Sequence, residues 1–320
     1  MTLRVSAIQF QHRAADKDFN LQQLSKLAEQ AAAAGSQLAV FPEMCLCGYW
    51  HIVKQDEAAL HAQAEPIDGP SVQRVMQLAQ KQQMAIGAGL LEKDASGALF
   101  NSYVVCMPDG QRHVHRKLHA FEHPALSSGD HYTVFDTPWG IKAGILICWD
   151  NNLVENVRAT ALLGAELLLA PHQTGGTASR SPHGMKPIPT KLWHRRVCDP
   201  ATIEAAFRGP NGREWLMRWL PARAHDNGLF LIFSNGVGQD EEEVRTGNAM
   251  ILDPYGRILA ETWQAADAVV TTDLDLSLLD RCTGQRWLRG RRPELYGILT
   301  EPLPHPLTPH QARFSETPTR

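Results

Sequence analysis

The stretch 141–171 constrains the fold more than any other part of the chain. IKAGILIC (141–148) is a continuous apolar run after Lys142, LVENVRATALLG carries Val154, Val157 and Ala161 at helical spacing, and ELLLAP (166–171) is a second apolar run after Glu166. A strand with one face in water alternates polar and apolar residues, so two strands without alternation must be covered on both faces. Strand, helix and strand in that order then call for layers, with helices lying over a sheet. Asn152 and Glu155 resemble a capping box in which an amide replaces the hydroxyl, and Gly164 supplies the stop.

The rest of the chain extends this reading. LRVSAIQ (3–9) reads as a strand, and Leu21, Leu24, Ala28 and Ala31 then recur at helical spacing after an Asn20 cap, with Gly35 as the stop. QLAVF (37–41) is a buried strand ended by Pro42, a second helix starts at Pro70, and MAIGAGLLE (84–92) is a strand. LFNSYVVCM, a Pro108-Asp109-Gly110 turn and QRHVHRKLH form a hairpin, and further strands fall at 229–237, 248–256 and 268–276. Hairpins mixed among strand–helix alternations predict mixed sheets sandwiched by helices rather than one parallel doubly wound sheet. One domain over 1–300 is expected. It carries a Pro- and Gly-rich loop or lid over about 172–222 and is followed by a Pro-rich extended tail at 301–320. Between Arg180 and Arg213 seven basic residues face two acidic ones, which suits a solvated loop, a subunit contact or an anion-attracting lid.

Composition narrows the function classes. A net charge of −3 removes the electrostatic basis for nucleic-acid or membrane-surface binding, and the apolar runs are far too short to span a bilayer. Six cysteines with no C-x-x-C pair, behind an N-terminus without basic or apolar leader regions, predict reduced thiols and a cytoplasmic protein. Neither disulfide nor metal spacing explains these thiols, so one of them is a candidate for chemistry.

Cys148 is the strongest candidate. It ends the run GILIC and precedes a capped helix, a corner where helix N–H groups lower a thiol pKa and backbone N–H groups can hold an oxyanion. Glu43 closes LAVFPE and Lys117 lies in HRKLH, both at predicted strand ends. A thiol, a carboxylate and an ammonium converging there would make a nucleophile, a general base and an electrostatic stabiliser. Cys45 and Cys47, just past Glu43, are candidates to line the same cleft, and the other three cysteines are structural by default.

FPE (41–43), RKLH (116–119) and ILICWD (145–150) occur in the order and setting that resemble the carbon–nitrogen hydrolase (nitrilase) superfamily, with a Glu–Lys–Cys triad. FNSYVV, GAELLLAP, ARAHDNGLFLIFSN, GNAMILDPYG and RRPELY extend the likeness over about residues 3–297. The resemblance implies a four-layer α-β-β-α sandwich, with Glu43 as general base, Lys117 as stabiliser of the tetrahedral intermediate and Cys148 as nucleophile. It implies a second glutamate, for which Glu122 is the nearby candidate, and pairing into homodimers or larger homo-oligomers, with the tail as a candidate contact. The Trp149 backbone N–H joins the oxyanion site. Asp150, His172, Gln173 and Thr174 are candidates to line the substrate pocket, the last three equally suited to loop hydrogen bonding.

The chemistry implied is hydrolysis of a small linear amide through a Cys148 thioester, with no metal and no cofactor. Nitriles and N-carbamoyl compounds are the alternatives. Cys148-Trp149-Asp150 departs from the C-W-E common in nitrilases, and NNLVEN departs from the W-x-P-E and W-P-E patterns of carbamoyl hydrolases. A rival zinc site is spelled by His119, Glu122 and His123 as H-x-x-E-H, but Pro124 and the missing apolar stripe oppose the helix that pattern needs. The other rival is a binding protein that keeps the fold without catalysis, which the intact triad opposes.

Overall fold

The structure is a computed structural model and describes residues 1–315. One group of strands runs in the order Arg112–Arg116, Leu99–Cys106, Ala85–Lys93, Leu38–Val40, Thr2–Phe10 and Ala268–Asp275. A second runs Thr133–Asp136, Lys142–Ile145, Leu167–His172, Phe230–Asp240, Met250–Leu252 and Ile258–Glu261. Among the described residues the two pair strand to strand only where Gln9 and Phe10 run parallel to Asn235 and Gly236.

The period-2 geometry of strands explains the continuous apolar runs. Leu167, Leu169, Phe230, Ile232 and Ile145 point into a core shared with Val5, Leu38, Ala85 and Val105 of the facing sheet. Their neighbours Leu168, Ala170, Leu231, Phe233 and Leu146 point outward, against Val157 of the helix Val154–Leu162 and Leu220 and Ala224 of the helix Leu220–Asn227. On the opposite side Ala39, Ile86 and Val104 meet the helices Lys17–Ala33 and Pro70–Gln82 through Leu24, Leu27, Val72 and Val75. Helix, sheet, sheet, helix is the expected four-layer sandwich. Among the described residues no helix is long and apolar enough to cross a membrane.

Several local expectations are corrected. Asp16, not Asn20, caps the first helix by accepting from Phe19 N at 3.0 Å, and Asn20 sits inside it, tying down the preceding loop through both the N–H and the carbonyl of Arg13. The capping box expected at Asn152 and Glu155 is absent. The chain makes a 3₁₀ turn over Cys148–Asn152, and the helix starts at Val154 behind Leu153, which offers no side-chain cap. The 172–222 segment is not a bare loop but contains the helices Thr190–Arg195, Pro200–Arg208 and Arg213–Leu216 and the start of Leu220–Asn227. Ile188, Trp193, Ile203 and Phe207 of this segment bury against Val237 and Val244. The tail is extended and exposed over 301–308, and then forms a helix, Pro309–Phe314, that returns to the body.

One glycine positions the candidate base. Gly89 lies under the loop after Leu38–Val40, and a Cβ there would come 2.2 Å from Met44 N and 2.8 Å from the Glu43 carbonyl carbon. Backbone cannot yield as a side chain can, so Gly89→Ala is expected to lower unfolding free energy by about 1–3 kcal/mol, read from urea denaturation.

Candidate active site

Strand ends of the two sheets bring the titratable groups together. Glu43 follows Leu38–Val40, Lys117 follows Arg112–Arg116, and Cys148 follows Lys142–Ile145, whose strand closes three residues before the end of the apolar run. Glu43, Lys117 and Glu122 are all fully buried. Lys117 Nζ donates to Glu43 Oε1 at 2.7 Å and also to Glu122 Oε1. Asn101 Nδ2 donates to the same two oxygens at 2.7 and 3.0 Å, Tyr49 OH donates to Glu122 Oε1 at 3.2 Å, and the Phe121 N–H donates to Glu122 Oε2 at 3.0 Å. Glu43 Oε2 has no hydrogen-bond partner among the described residues.

This unequal bonding sets unequal acidities. Burial raises the Glu43 carboxyl to about 7, a shift that Lys117 opposes and Glu122 reinforces. At Glu122 burial also pushes upward, but Lys117 and the backbone donor outweigh it and hold the carboxyl low. Burial alone would lower Lys117, yet the two carboxylates raise it, so the ammonium stays charged. Two similar groups thus carry different protonation, as acid–base chemistry requires.

Cys148 adopts φ +49, a left-handed conformation unfavourable for a residue with a Cβ. Asn151 holds it there, donating from Nδ2 to the Leu146 carbonyl at 2.8 Å and the Cys148 carbonyl at 3.3 Å. The expected lowering of the thiol pKa is reversed: burial and the Glu43 charge raise it, against Lys117 and a Gln173 backbone N–H. The thiol is therefore protonated at rest and needs a base at the moment of attack. Cys45 and Cys47 do not line the cleft. They are core residues, with thiols pushed up to about 12 by burial.

Asp150 is a buried clamp rather than a pocket residue. Its carboxylate accepts from the N–H groups of Leu118 at 3.1 Å, His119 at 2.9 Å and Ile147 at 3.3 Å, locking the lysine and cysteine loops together. The H-x-x-E-H residues diverge: His119 Nδ1 pairs with Asp150, Glu122 with Lys117, and His123 Nε2 with the Gln55 carbonyl. No helix carries them, and among the described residues no group of three His, Cys, Asp or Glu could hold a metal.

A cavity of about 440 Å³ opens in front of Cys148. Trp149, His172, Gln173 and Thr174 line it, and Tyr49, Trp50, Phe121, Trp215 and Trp219 make its walls largely aromatic. His172 is kept neutral, lowered to about 3 by burial and by the Lys117 charge. None of the seven basic residues between Arg180 and Arg213 reaches the cavity. Its cations are Arg245 and Arg313, the first held in a buried pair with Asp240 and Glu243. Asn101 and Arg245 escaped sequence reasoning, although each is a polar residue inside an otherwise strand-forming run, the pattern of a buried side chain with partners.

Residues 4–283 match the family model described as carbon–nitrogen hydrolase. The chain belongs to that family. Among relatives of this carbon–nitrogen hydrolase, a Pseudomonas protegens protein named hydrolase in pqqF 5′ region is 33% identical, with 94% of this chain and 93% of the relative covered. An (R)-stereoselective amidase of a Pseudomonas species is 32% identical over 93% of this chain and 95% of its own length, and an omega-amidase of Xenopus tropicalis is 28% identical over 88% and 92%. The solved amidase of Nesterenkonia AN1, from the nitrilase superfamily, superposes with a TM-score of 0.70 at 22% identity, covering 93% of this chain and 97% of that one. The enzyme is thus a hydrolase of carbon–nitrogen bonds other than peptide bonds.

The clamp in this hydrolase can be tested apart from catalysis. Asp150→Ala leaves three loop N–H groups without their acceptor, and is expected to cost about 2–4 kcal/mol of stability, read as a lower urea midpoint.

Proposed function

We propose that this enzyme hydrolyses primary amides to a carboxylic acid and ammonia through a thioester on Cys148. The observation that carries the reading is the buried Lys117 ammonium between Glu43 and Glu122, set behind a thiol that faces an aromatic cavity. The amidase relatives support it over nitrile or carbamoyl substrates.

The steps use only these groups. Cys148 Sγ attacks the amide carbon while its proton passes to Glu43. The amide oxygen takes the negative charge and meets Lys117, which bonds two carboxylates and has a third proton to give, together with the Trp149 backbone N–H. Glu43 returns its proton to the nitrogen, the C–N bond breaks and ammonia leaves. A water that loses its proton to Glu43 then attacks the thioester, and collapse expels the sulfur, which regains that proton as the acid departs. A carboxyl titrating near 7 can give and take a proton at each stage. Glu122, held ionised, keeps Lys117 charged and in place.

Six free thiols, five of them buried, fit a reducing, cytoplasmic setting for the enzyme. Val154, Trp287 and Leu299 leave about half or more of their surface exposed around one groove beside Leu295 and Ile298, a patch suited to pairing with a second copy as a homodimer.

An ammonia-release assay over aliphatic and aromatic amides, nitriles and N-carbamoyl compounds tests the reaction. Amides are expected to be the best substrates, and Cys148→Ala to lose activity by at least about a thousandfold; activity surviving in that variant refutes the thioester route. Because Glu43 must be ionised to act as base, kcat/KM is expected to rise with pH through about 7 and to flatten above it. Glu43→Gln removes both the limb and the activity.

A further inference from the structure

The C-terminal helix Pro309–Phe314 lies across the mouth of the cavity and touches both of its sides. On one side the His310 Nδ1–H donates to the Phe121 carbonyl at 2.8 Å. The Phe121 ring meets the Trp149 indole edge-on at 4.9 Å and lies 4.5 Å from Lys117 Nζ, so this anchor is next to the reacting groups. On the other side Arg313 Nη1 and Nη2 each donate to the Ala178 carbonyl at 3.2 Å, while the Ala178 N–H donates to Glu243, the partner of Arg245. Between these anchors the Phe314 ring is 6.4 Å from both Trp50 and Phe121, packed against the aromatic wall, and Arg313 lines the cavity that Cys148 opens into. The leading segment 301–308 is exposed throughout, so the helix is held by its contacts with the pocket rims and not by its tether.

We propose that this helix is part of the substrate site and that Phe314 and Arg313 are specificity-determining residues, selecting primary amides whose apolar acyl group extends past Trp149 and Phe121 to the outer wall. The inference rests on the amide-hydrolase reading and deepens it. A two-carbon acyl group lies beside Cys148 and does not reach the helix. An acyl chain ending in a phenyl ring buries that ring against Phe314 and Trp50, under the Arg313 guanidinium, which stands 5.9 Å from the Trp50 ring and 5.4 Å from the Phe314 ring. The helix then adds binding without touching the reacting carbon, an effect that belongs in KM and not in kcat.

The test compares acetamide with 4-phenylbutyramide on the full chain and on Phe314→Ala and Arg313→Ala. Phe314→Ala is expected to raise KM for 4-phenylbutyramide about tenfold while kcat, and both constants for acetamide, stay within about twofold. Arg313→Ala is expected to move the same KM in the same direction by a smaller factor. An unchanged melting temperature separates loss of the wall from loss of the fold. Equal changes for both amides, or none, overturn the inference while leaving amide hydrolysis intact. If the parent turns over neither amide, the amide-hydrolase reading fails, and the helix is judged on alkylation of Cys148. N-phenyl iodoacetamide is then expected to lose about tenfold of its rate relative to iodoacetamide in Phe314→Ala, and an unchanged ratio overturns the inference.

Discussion

A lysine ammonium with no access to water governs this structure. Lys117 is fully buried, and a charge in that position is tolerable only because Glu43 and Glu122 sit against it and Asn101 and Tyr49 satisfy the carboxylate oxygens. Two carboxylates for one ammonium leave an excess negative charge, and the excess falls where bonding is poorest. Glu122 receives Lys117, Asn101, Tyr49 and a backbone N–H. Glu43 receives only Lys117 and Asn101 at one oxygen, and its other oxygen has no partner among the described residues. The less stabilised carboxylate is the one pushed up to about 7, and of the two it acts more strongly on the thiol. Burial of one cation therefore divides two chemically similar acids into a holder and a proton carrier.

That division depends on the sandwich. The glutamate and lysine arise from one sheet and the cysteine from the other, and among the described residues the sheets pair strand to strand only at Gln9–Phe10 and Asn235–Gly236. Registration between sheets falls to loops, above all to Asp150, which sits on the cysteine turn and binds N–H groups beside Lys117. Gln173 adds a second tie, donating from its side chain to the Glu43 carbonyl at 2.8 Å from the end of a strand in the other sheet. Hydrogen bonds to backbone N–H and C=O groups suit this task because they fix the loops directly, whichever side chains those loops carry.

Much of this was legible in the sequence because burial leaves a pattern. The continuous apolar runs within 141–148 and 166–171 announced strands covered on both faces, and polar residues at strand ends announced Glu43, Lys117 and Cys148. Glu122 was a candidate through the family likeness alone, and the structure places it against Lys117. What was not legible depends on side-chain direction. Asp150 follows the cysteine by two residues, and nothing in its spacing tells whether it faces the substrate or the loop beneath. Cys45 and Cys47 follow Glu43 closely, but Met44 at φ +50 turns the chain and sends both thiols into the core. Charge density was equally misleading: of the seven basic residues of 180–213 Arg213 pairs with Glu261 and most of the others face solvent, whereas Arg245 and Arg313, isolated in sequence, reach the cavity.

The same contrast separates the two halves of the site. The proton-transfer groups lie just past strand ends and are locked by buried hydrogen bonds that share donors, so a change at any one of them disturbs the others. The inner wall of the cavity, Tyr49, Trp50, Phe121 and Trp149, comes from loops that follow the sheet strands, and its outer parts come from the 172–222 segment and the helix Pro309–Phe314. Such parts can change shape without unpairing a buried charge. Selectivity can thus vary across a fold whose chemistry cannot, and the terminal helix, bonded to two rims by side chains to carbonyl oxygens, is the least constrained of these parts.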